Sequence, residues 1–190
     1  MAEQNCYVNR EISWLKFNQR VLEEAQDFTN PLCERLSFLS IFQSNLDEFF
    51  MVRVGSLFER MQISKNIREN KTNMTCEEQL DAIFKKVRKM LQDKDDTYRD
   101  LKTALVAEGV EIVDFHSINE KEAAYLQSYF HAEIEPLLSP QIIGKKQPFP
   151  FLQNKEIYAV VVLEKKGSEK LGIVPCSSDI FPKYITLPHQ

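Results

Sequence analysis

The stretch FQSNLDEFFMVRV, Phe42 to Val54, is the most informative in the chain: its apolar residues recur at helical spacing, yet Ser44, Asn45, Asp47 and Glu48 form a polar cluster in mid-run. Asn and Asp compete with the backbone for hydrogen bonds and lower helix propensity. A helix that carries both in its interior gives up local stability, which implies that the cluster is aimed at something.

The same helix is predicted from Pro31 to about Met61, with Leu32, Leu36, Leu39, Phe42, Leu46, Phe49, Phe50 and Leu57 along it and Gly55 as its only interior breaker. Such a density of apolar residues predicts extensive burial. Upstream, a helix is expected from Ser13 to Gln26, with Ser13 as N-cap and an apolar face of Trp14, Phe17, Val21 and Ala25. Asp27 to Pro31 breaks the pattern, with Asn30 as N-cap and Pro31 in the first turn of the next helix. The two form a helical hairpin.

Downstream, Ile63 to Thr75 is polar and aperiodic, an exposed connection. Thr75 and Glu78 have capping-box spacing, and Leu80, Phe84, Val87, Leu91, Tyr98, Leu101 and Leu105 then recur in steps of four and three, with Lys94 in the one gap. This stripe describes a long helix packed along other helices, or a coiled-coil dimer seam, ended at Gly109. Beyond it the pattern changes. Val110 to Phe115 reads as a strand, Ser117 with Glu120 as a second capping box, and a helix follows to about Glu135, before Pro136. Ile157 to Leu163 and Leu171 to Val174 read as a hairpin turning at Lys165 to Ser168, and Lys183 to Leu187 as a further strand. The fold class is α+β: an antiparallel helical domain over residues 1–108, then an incomplete α/β domain over 109–190. The second domain has few strands for a sheet, so the chain reads as the front of a longer protein.

Composition narrows the function. The 190 residues carry a net charge of −4 with both signs interspersed, which argues against this segment alone being a nucleic-acid or polyanion-binding surface, since such a surface normally shows a basic stripe. Arg10, Arg20, Arg35, Arg53 and Arg60 are spread along the first helices and read mostly as solvated faces, although folding could gather some into a local basic patch. Cys6, Cys33, Cys76 and Cys176 form no CxxC pair, and His116, His131 and His189 are dispersed, so no zinc site is expected. Cys33 and Cys76 fall in first helical turns and are assigned no chemistry. His131 is expected to meet the carbonyls at its helix end. Neither GxxxxGK[ST] nor GxGxxG occurs. No apolar run approaches the roughly 20 residues needed to span a bilayer. The start lacks the order of a secretory signal, which places the protein in the cytoplasm.

Adjacent Asp47 and Glu48 point about 100° apart on a helix and cannot act as a carboxylate pair. Asp47 is expected to hold backbone or an arginine, Arg53 or Arg20. Trp14, Phe42, Phe49 and Phe50 could form a base-stacking platform, but aromatics at helical spacing are more often core.

Three segments carry a family resemblance: NREISWLKFNQRVLEEA (Asn9 to Ala25), NPLCERLSFLSIF (Asn30 to Phe42) and SNLDEFFMVRV (Ser44 to Val54) resemble the amino-terminal helical domain of bacterial polyphosphate kinases. QPFPFLQNKEIYAVVVL, Gln147 to Leu163, resembles the start of that family's head domain. The resemblance implies reversible transfer of the terminal phosphate of ATP to inorganic polyphosphate through a phosphohistidine. It places that histidine and the Mg2+ site in carboxy-terminal domains absent here, so no catalytic or metal residue is expected in this chain, which alone would be inactive. It implies homo-oligomerisation through the head domain. It also makes Asn45 the contact to the adenine of ATP. A carboxamide can match the adenine edge, with Leu46 and Phe49 as apolar flanks; the alternative is that Asn45 caps or bridges helices. The rival from another class is a helical scaffold that binds no nucleotide and associates through the Leu80 to Leu105 stripe.

Overall fold

The computed structural model describes residues 6–64, 66–144, 149–165, 167–176, 181–182 and 184–188. They fall into two compact units, Met1–Ile112 and Val113–Gln190, and the fold is α+β.

In the first unit, α1 spans Arg10–Gln26 and begins earlier than its apolar pattern suggests. The N-cap is Asn9, whose side chain accepts from the backbone N–H groups of Glu11 and Ile12, and Ser13 lies inside the helix. Asn caps at least as well as Ser, and here it satisfies two otherwise orphaned donors. The buried face is Glu11, Leu15, Asn18, Leu22 and Ala25. Phe17 is exposed, and Trp14 and Val21 are half-buried, so of the expected face only Ala25 is fully inside. The true seam alternates steps of four and three, which keeps it on one side of the helix.

Asp27 closes the turn by accepting from the backbone and hydroxyl of Thr29 at 2.8 Å each. Helix α2, Leu32–Phe49, has Pro31 at the N-cap position, and Asn30 instead donates to the carbonyl and carboxylate of Glu24. Helical conformation continues through a π segment, Phe50–Val54, into α3, Gly55–Ile63. The buried positions explain the π segment. They advance through Leu39, Phe42, Leu46 and Phe49 and then jump five residues to Val54 before Leu57. The wider turn absorbs the extra residue, returning Val54 and Leu57 to the core and leaving Arg53 outside it.

The connection to the next helix holds a built turn: Glu69 exchanges backbone bonds with Met74 and Asn73, and Arg68 bridges to Thr75. The expected capping box of Thr75 and Glu78 opens α4, Cys76–Ala107. Its far end has a Schellman cap, with Gly109 at φ 78° donating to Val106 and Val110 donating to Leu105. The side of α4 facing inward is Cys76, Gln79, Leu80, Ile83, Val87, Met90, Thr97, Leu101 and Leu105. Phe84 and Tyr98 are exposed and Leu91 is half-buried, so the stripe is partly displaced, as in α1. The core is the common interior of α1 to α4, with Phe42, Phe49, Leu15, Ile83 and Leu101 almost fully enclosed.

Residues 110–115, where the first unit ends and the second begins, form no strand. Val110 is tied to the α4 cap, and Asp114 initiates a turn by accepting from the His116 and Ser117 N–H groups. Helix α5, Glu120–Tyr129, is capped by Asn119 with Glu122, which replaces the expected Ser117 and Glu120 pair. It runs on through a π segment, Phe130–Ile134, and a 3-10 turn, Glu135–Leu137. His131 meets the carboxylate of Glu135 at 2.5 Å, so its partner is a side chain one turn on and not a terminal carbonyl.

The three strands are β1, Gln141–Ile143, β2, Tyr158–Lys165, and β3, Ser168–Pro175, in antiparallel order β1-β3-β2. The expected hairpin is β2 and β3, in register from Tyr158 opposite Pro175 to Lys165 opposite Ser168. Of its turn, Lys166 lies outside the described residues, and Gly167 has φ 72°. Of the proposed strand at Lys183 to Leu187, Lys183 lies outside the described residues and 184–187 are irregular. His189 and the first residues of the Gln147 to Leu163 segment are also outside them.

Candidate functional site

Helices α1 and α2, with the π segment that follows, meet in an antiparallel ladder that contains the polar cluster. At its first rung Glu11 is almost fully enclosed, yet its carboxylate takes Arg10 Nε at 2.7 Å and Arg53 Nη1 at 3.2 Å. One turn on, the Trp14 and Phe49 rings stack at 4.5 Å and 11°, with the Arg53 guanidinium 5.9 Å from the Trp14 centroid. At the next rung Asn45 Nδ2 donates to Asn18 Oδ1 at 3.1 Å, while Asn18 Nδ2 donates to the Phe42 carbonyl at 3.1 Å. Farther along, Arg35 Nε donates to the Ala25 carbonyl at 2.8 Å and its guanidinium lies 4.4 Å from the Phe28 centroid.

Asn45 therefore bridges two helices, one of the two roles its chemistry allowed. It is half-buried, and among the described residues its Oδ1 accepts no hydrogen bond. Asn18 is completely enclosed, and its amide is spent on Asn45 and the α2 backbone. Asp47 accepts from Gln43 Nε2 on its own helix at 2.9 Å, and Ser44 and Glu48 face solvent.

The expected apolar flanks require correction. Leu46 and Phe49 are core residues at 4% and 1% exposure, so neither can flank a ligand. Arg53 donates to the Glu11 carboxylate at 3.2 Å and so is not simply a solvated arginine. Nor is Arg35 a solvated arginine, since it is buried against backbone. Of the aromatics, Phe42 and Phe49 are core residues, and Trp14 and Phe50 pack half-buried against the core.

Asn18, Glu11 and the cap Asn9 were missed together. Asn9 Nδ2 also donates to Gln79 Oε1 at 3.0 Å, tying the start of α1 to α4. A signal existed in the regular spacing of Glu11, Leu15, Asn18, Leu22 and Ala25, but two of the five are polar and fall outside an apolar search. Among the described residues no group of three or more His, Cys, Asp or Glu could hold a metal ion. No helix there is long and apolar enough to cross a membrane.

Comparison with known proteins gives a consistent result along the chain. Residues 7–113 match the family described as polyphosphate kinase N-terminal domain, and residues 121–190 match the polyphosphate kinase middle domain. A polyphosphate kinase of Bacillus anthracis is 42% identical over 191 residues, covering 97% of this chain and 27% of the relative. One of Halalkalibacterium halodurans is 41% identical over 192 residues, covering 99% of the chain and again 27% of the relative. The crystal structure of polyphosphate kinase from Porphyromonas gingivalis superimposes with a TM-score of 0.72 at 30% identity, covering 95% of this chain and 27% of that one. The chain thus spans about a quarter of the length of the relatives it matches.

Proposed function

This chain belongs to the polyphosphate kinase family, and we propose that it is the helical domain, to Glu108, and the first part of the head domain, from Gly109, of an enzyme that reversibly transfers the terminal phosphate of ATP to inorganic polyphosphate. The single observation that carries this reading is the family match over residues 7–113. In the proposed division of labour, the phosphohistidine and the Mg2+ site lie in parts of the protein outside this chain. In-line phosphoryl transfer there depends mainly on positioning and charge neutralisation. The helical unit supplies the adenine-side wall of the ATP site, and the head domain contributes to homo-oligomer assembly, in the cytoplasm.

Asn45 is the residue proposed to touch adenine. Its Nδ2 is held by Asn18, which fixes the amide plane, and its Oδ1 is left to accept from an exocyclic amine such as that of adenine. An amide oriented before binding loses less freedom when the ligand arrives. The scaffold reading is weakened by the packing of α4. Leu80, Val87 and Leu101, which it needs as an intermolecular seam, are buried against α1 to α3 within one unit.

The test is conversion of labelled ATP into acid-insoluble polymer by the protein extended to its natural stop codon. Asn45→Ala is expected to raise the KM for ATP by about five- to tenfold, the worth of one hydrogen bond, and to leave the KM for polyphosphate in the reverse direction unchanged. A variant in which both constants move together, in step with lost thermal stability, would reduce Asn45 to a helix bridge. No polymer from the folded, extended protein with magnesium added would reject the kinase reading itself.

A further inference from the structure

A cavity of about 400 Å³ opens between the start of α1, helix α3 and the connection before α4, lined among others by Arg10, Arg60, Arg68, Lys71, Glu69 and Gln79. Its volume falls in the range of small-ligand sites. Neither Asn45 nor Trp14 lines it. The chain as a whole is acidic, at −4, yet this wall gathers four cationic side chains from separate parts of the sequence. Arg10 and Arg60, which the sequence scattered over two helices, are among them.

The carboxylate in the lining, Glu69, offsets part of this charge, acting on Arg10 among the cations. Glu69 Oε1 accepts the Lys71 N–H at 3.0 Å, and Oε2 accepts the Thr72 hydroxyl and N–H at 2.6 Å each. These bonds, the Thr72 hydroxyl foremost, hold the Glu69 carboxyl below its ordinary range and turn it onto its own loop. Of the cations, Arg10 is engaged by Glu11 at 2.7 Å, and Arg68 donates to the Asn73 carbonyl at 2.7 Å with Glu78 at 3.8 Å. Lys71 lies 4.9 Å from the Tyr7 centroid, a contact that leaves its charge uncompensated. Arg60 meets no carboxylate within ion-pair distance among the described residues.

We infer that this cavity seats a condensed phosphate chain, as an accessory site for inorganic polyphosphate on the helical unit. The choice of anion rests on the proposed function; the charge and the cavity do not. A single phosphate can engage one or two of these cations, whereas a linear chain brings an anionic group to each. Arginine forks and a lysine point charge both suit phosphate oxygens.

The experiment is calorimetric titration of the 190-residue chain with tripolyphosphate, orthophosphate and ATP in separate runs. Tripolyphosphate is expected to bind at least about tenfold more tightly than orthophosphate, and Arg60→Gln and Lys71→Gln each to weaken it by about fivefold, with Arg60→Lys close to the parent. Raising the salt concentration should weaken it as well. An equal loss for ATP extends the site to nucleotide triphosphates; no loss for ATP reserves it for the inorganic chain, and either result upholds a condensed-phosphate site. Asn45→Ala should leave tripolyphosphate binding unchanged, which separates failure at adenine from failure here. The proposal is overturned if the chain, folded by circular dichroism, does not bind tripolyphosphate, or if the Arg60→Gln, Lys71→Gln double variant binds it as the parent does.

Discussion

Every buried hydrophobic side chain among the described residues except Ile173 belongs to the helical unit, and so does every buried polar one. The hairpin of the second unit has ample β-branched apolar residues, but they are open on both faces: Val160 and Val162 at 59% and 64% exposure, Val161 and Leu163 at 43% and 41%. The comparison separates two ways of specifying structure. In the helical unit the register of α1 against α2 is set by side chains, since a shift along the ladder would strand Asn18 and Glu11 without partners. In the hairpin the two faces differ little in burial, so register rests on the turn and the backbone ladder. Gly172 adds one local side-chain constraint, because a Cβ there would come within 2.8 Å of Val161 Cγ2.

The largest effect should therefore come from truncation in the helical core. Phe42→Ala removes a fully enclosed ring and is expected to cost about 3–5 kcal/mol. Val162→Thr, on an open strand position, should stay within about 0.5 kcal/mol. Trp14, the chain's one tryptophan, stacks on Phe49, so its fluorescence during chemical unfolding reports on the helical unit, while far-ultraviolet circular dichroism follows the hairpin as well. Comparable losses from the two variants would break the contrast and mean that the hairpin face is covered.

A smaller effect tests whether polar residues hold the ladder. Glu11→Gln keeps the volume of an enclosed side chain but removes the charge that Arg10 and Arg53 share, and should cost about 2 kcal/mol. Added to Arg53→Gln, it should cost clearly less than the sum of the two, since both remove the same bond. Strict additivity in a double-mutant cycle would show that the pair contributes nothing specific.

The same contrast governs what the sequence made legible. The helical hairpin, the long capped α4 and the β2–β3 hairpin were all readable, because each is announced by a local signal: helical period, capping-box spacing, a β-branched run before a glycine turn. Local signals misled where a polar residue took a core position. In α1 the true seam includes Glu11 and Asn18, so a search for apolar residues settled on Trp14, Phe17 and Val21, a position to one side. The π segment at Phe50–Val54 was invisible for a related reason: it changes which residues face inward without changing their kind. Residues 110–115 failed in the opposite sense, having strand-like composition with no partner strand, their backbone taken by the α4 cap and the Asp114 turn. At the site, Asn45 was legible as an unusual residue, but its partner Asn18 lies 27 positions away and only the fold brings them together.

The smallest expected effect concerns acid, and it too falls on the helical unit. Asp27, Glu69 and Glu78 are all held below their ordinary carboxyl values, chiefly by hydrogen bonds from Thr29, Thr72 and Thr75. A carboxyl with a lower pKa in the folded state binds fewer protons there than in the unfolded chain. Its stabilisation is thus complete above the unfolded value, 4.5 for Glu78, and disappears as pH falls through the depressed folded value. Stability of the helical unit, followed by Trp14 fluorescence, should decline in that acid window, and Glu78→Gln should make the decline shallower. Thr75→Ala separates the two halves of the capping box. It deletes the hydroxyl that accepts the Glu78 N–H at 3.1 Å but keeps the Thr75 backbone N–H that reaches the Glu78 carboxylate at 2.7 Å. That variant should lose about 1 kcal/mol at neutral pH while keeping most of the acid dependence, because the backbone bond is the largest cause of the Glu78 shift. If Thr75→Ala instead flattened the acid profile as fully as Glu78→Gln, the hydroxyl would be organising the carboxylate, and the cap would act as one cooperative unit instead of two separable bonds.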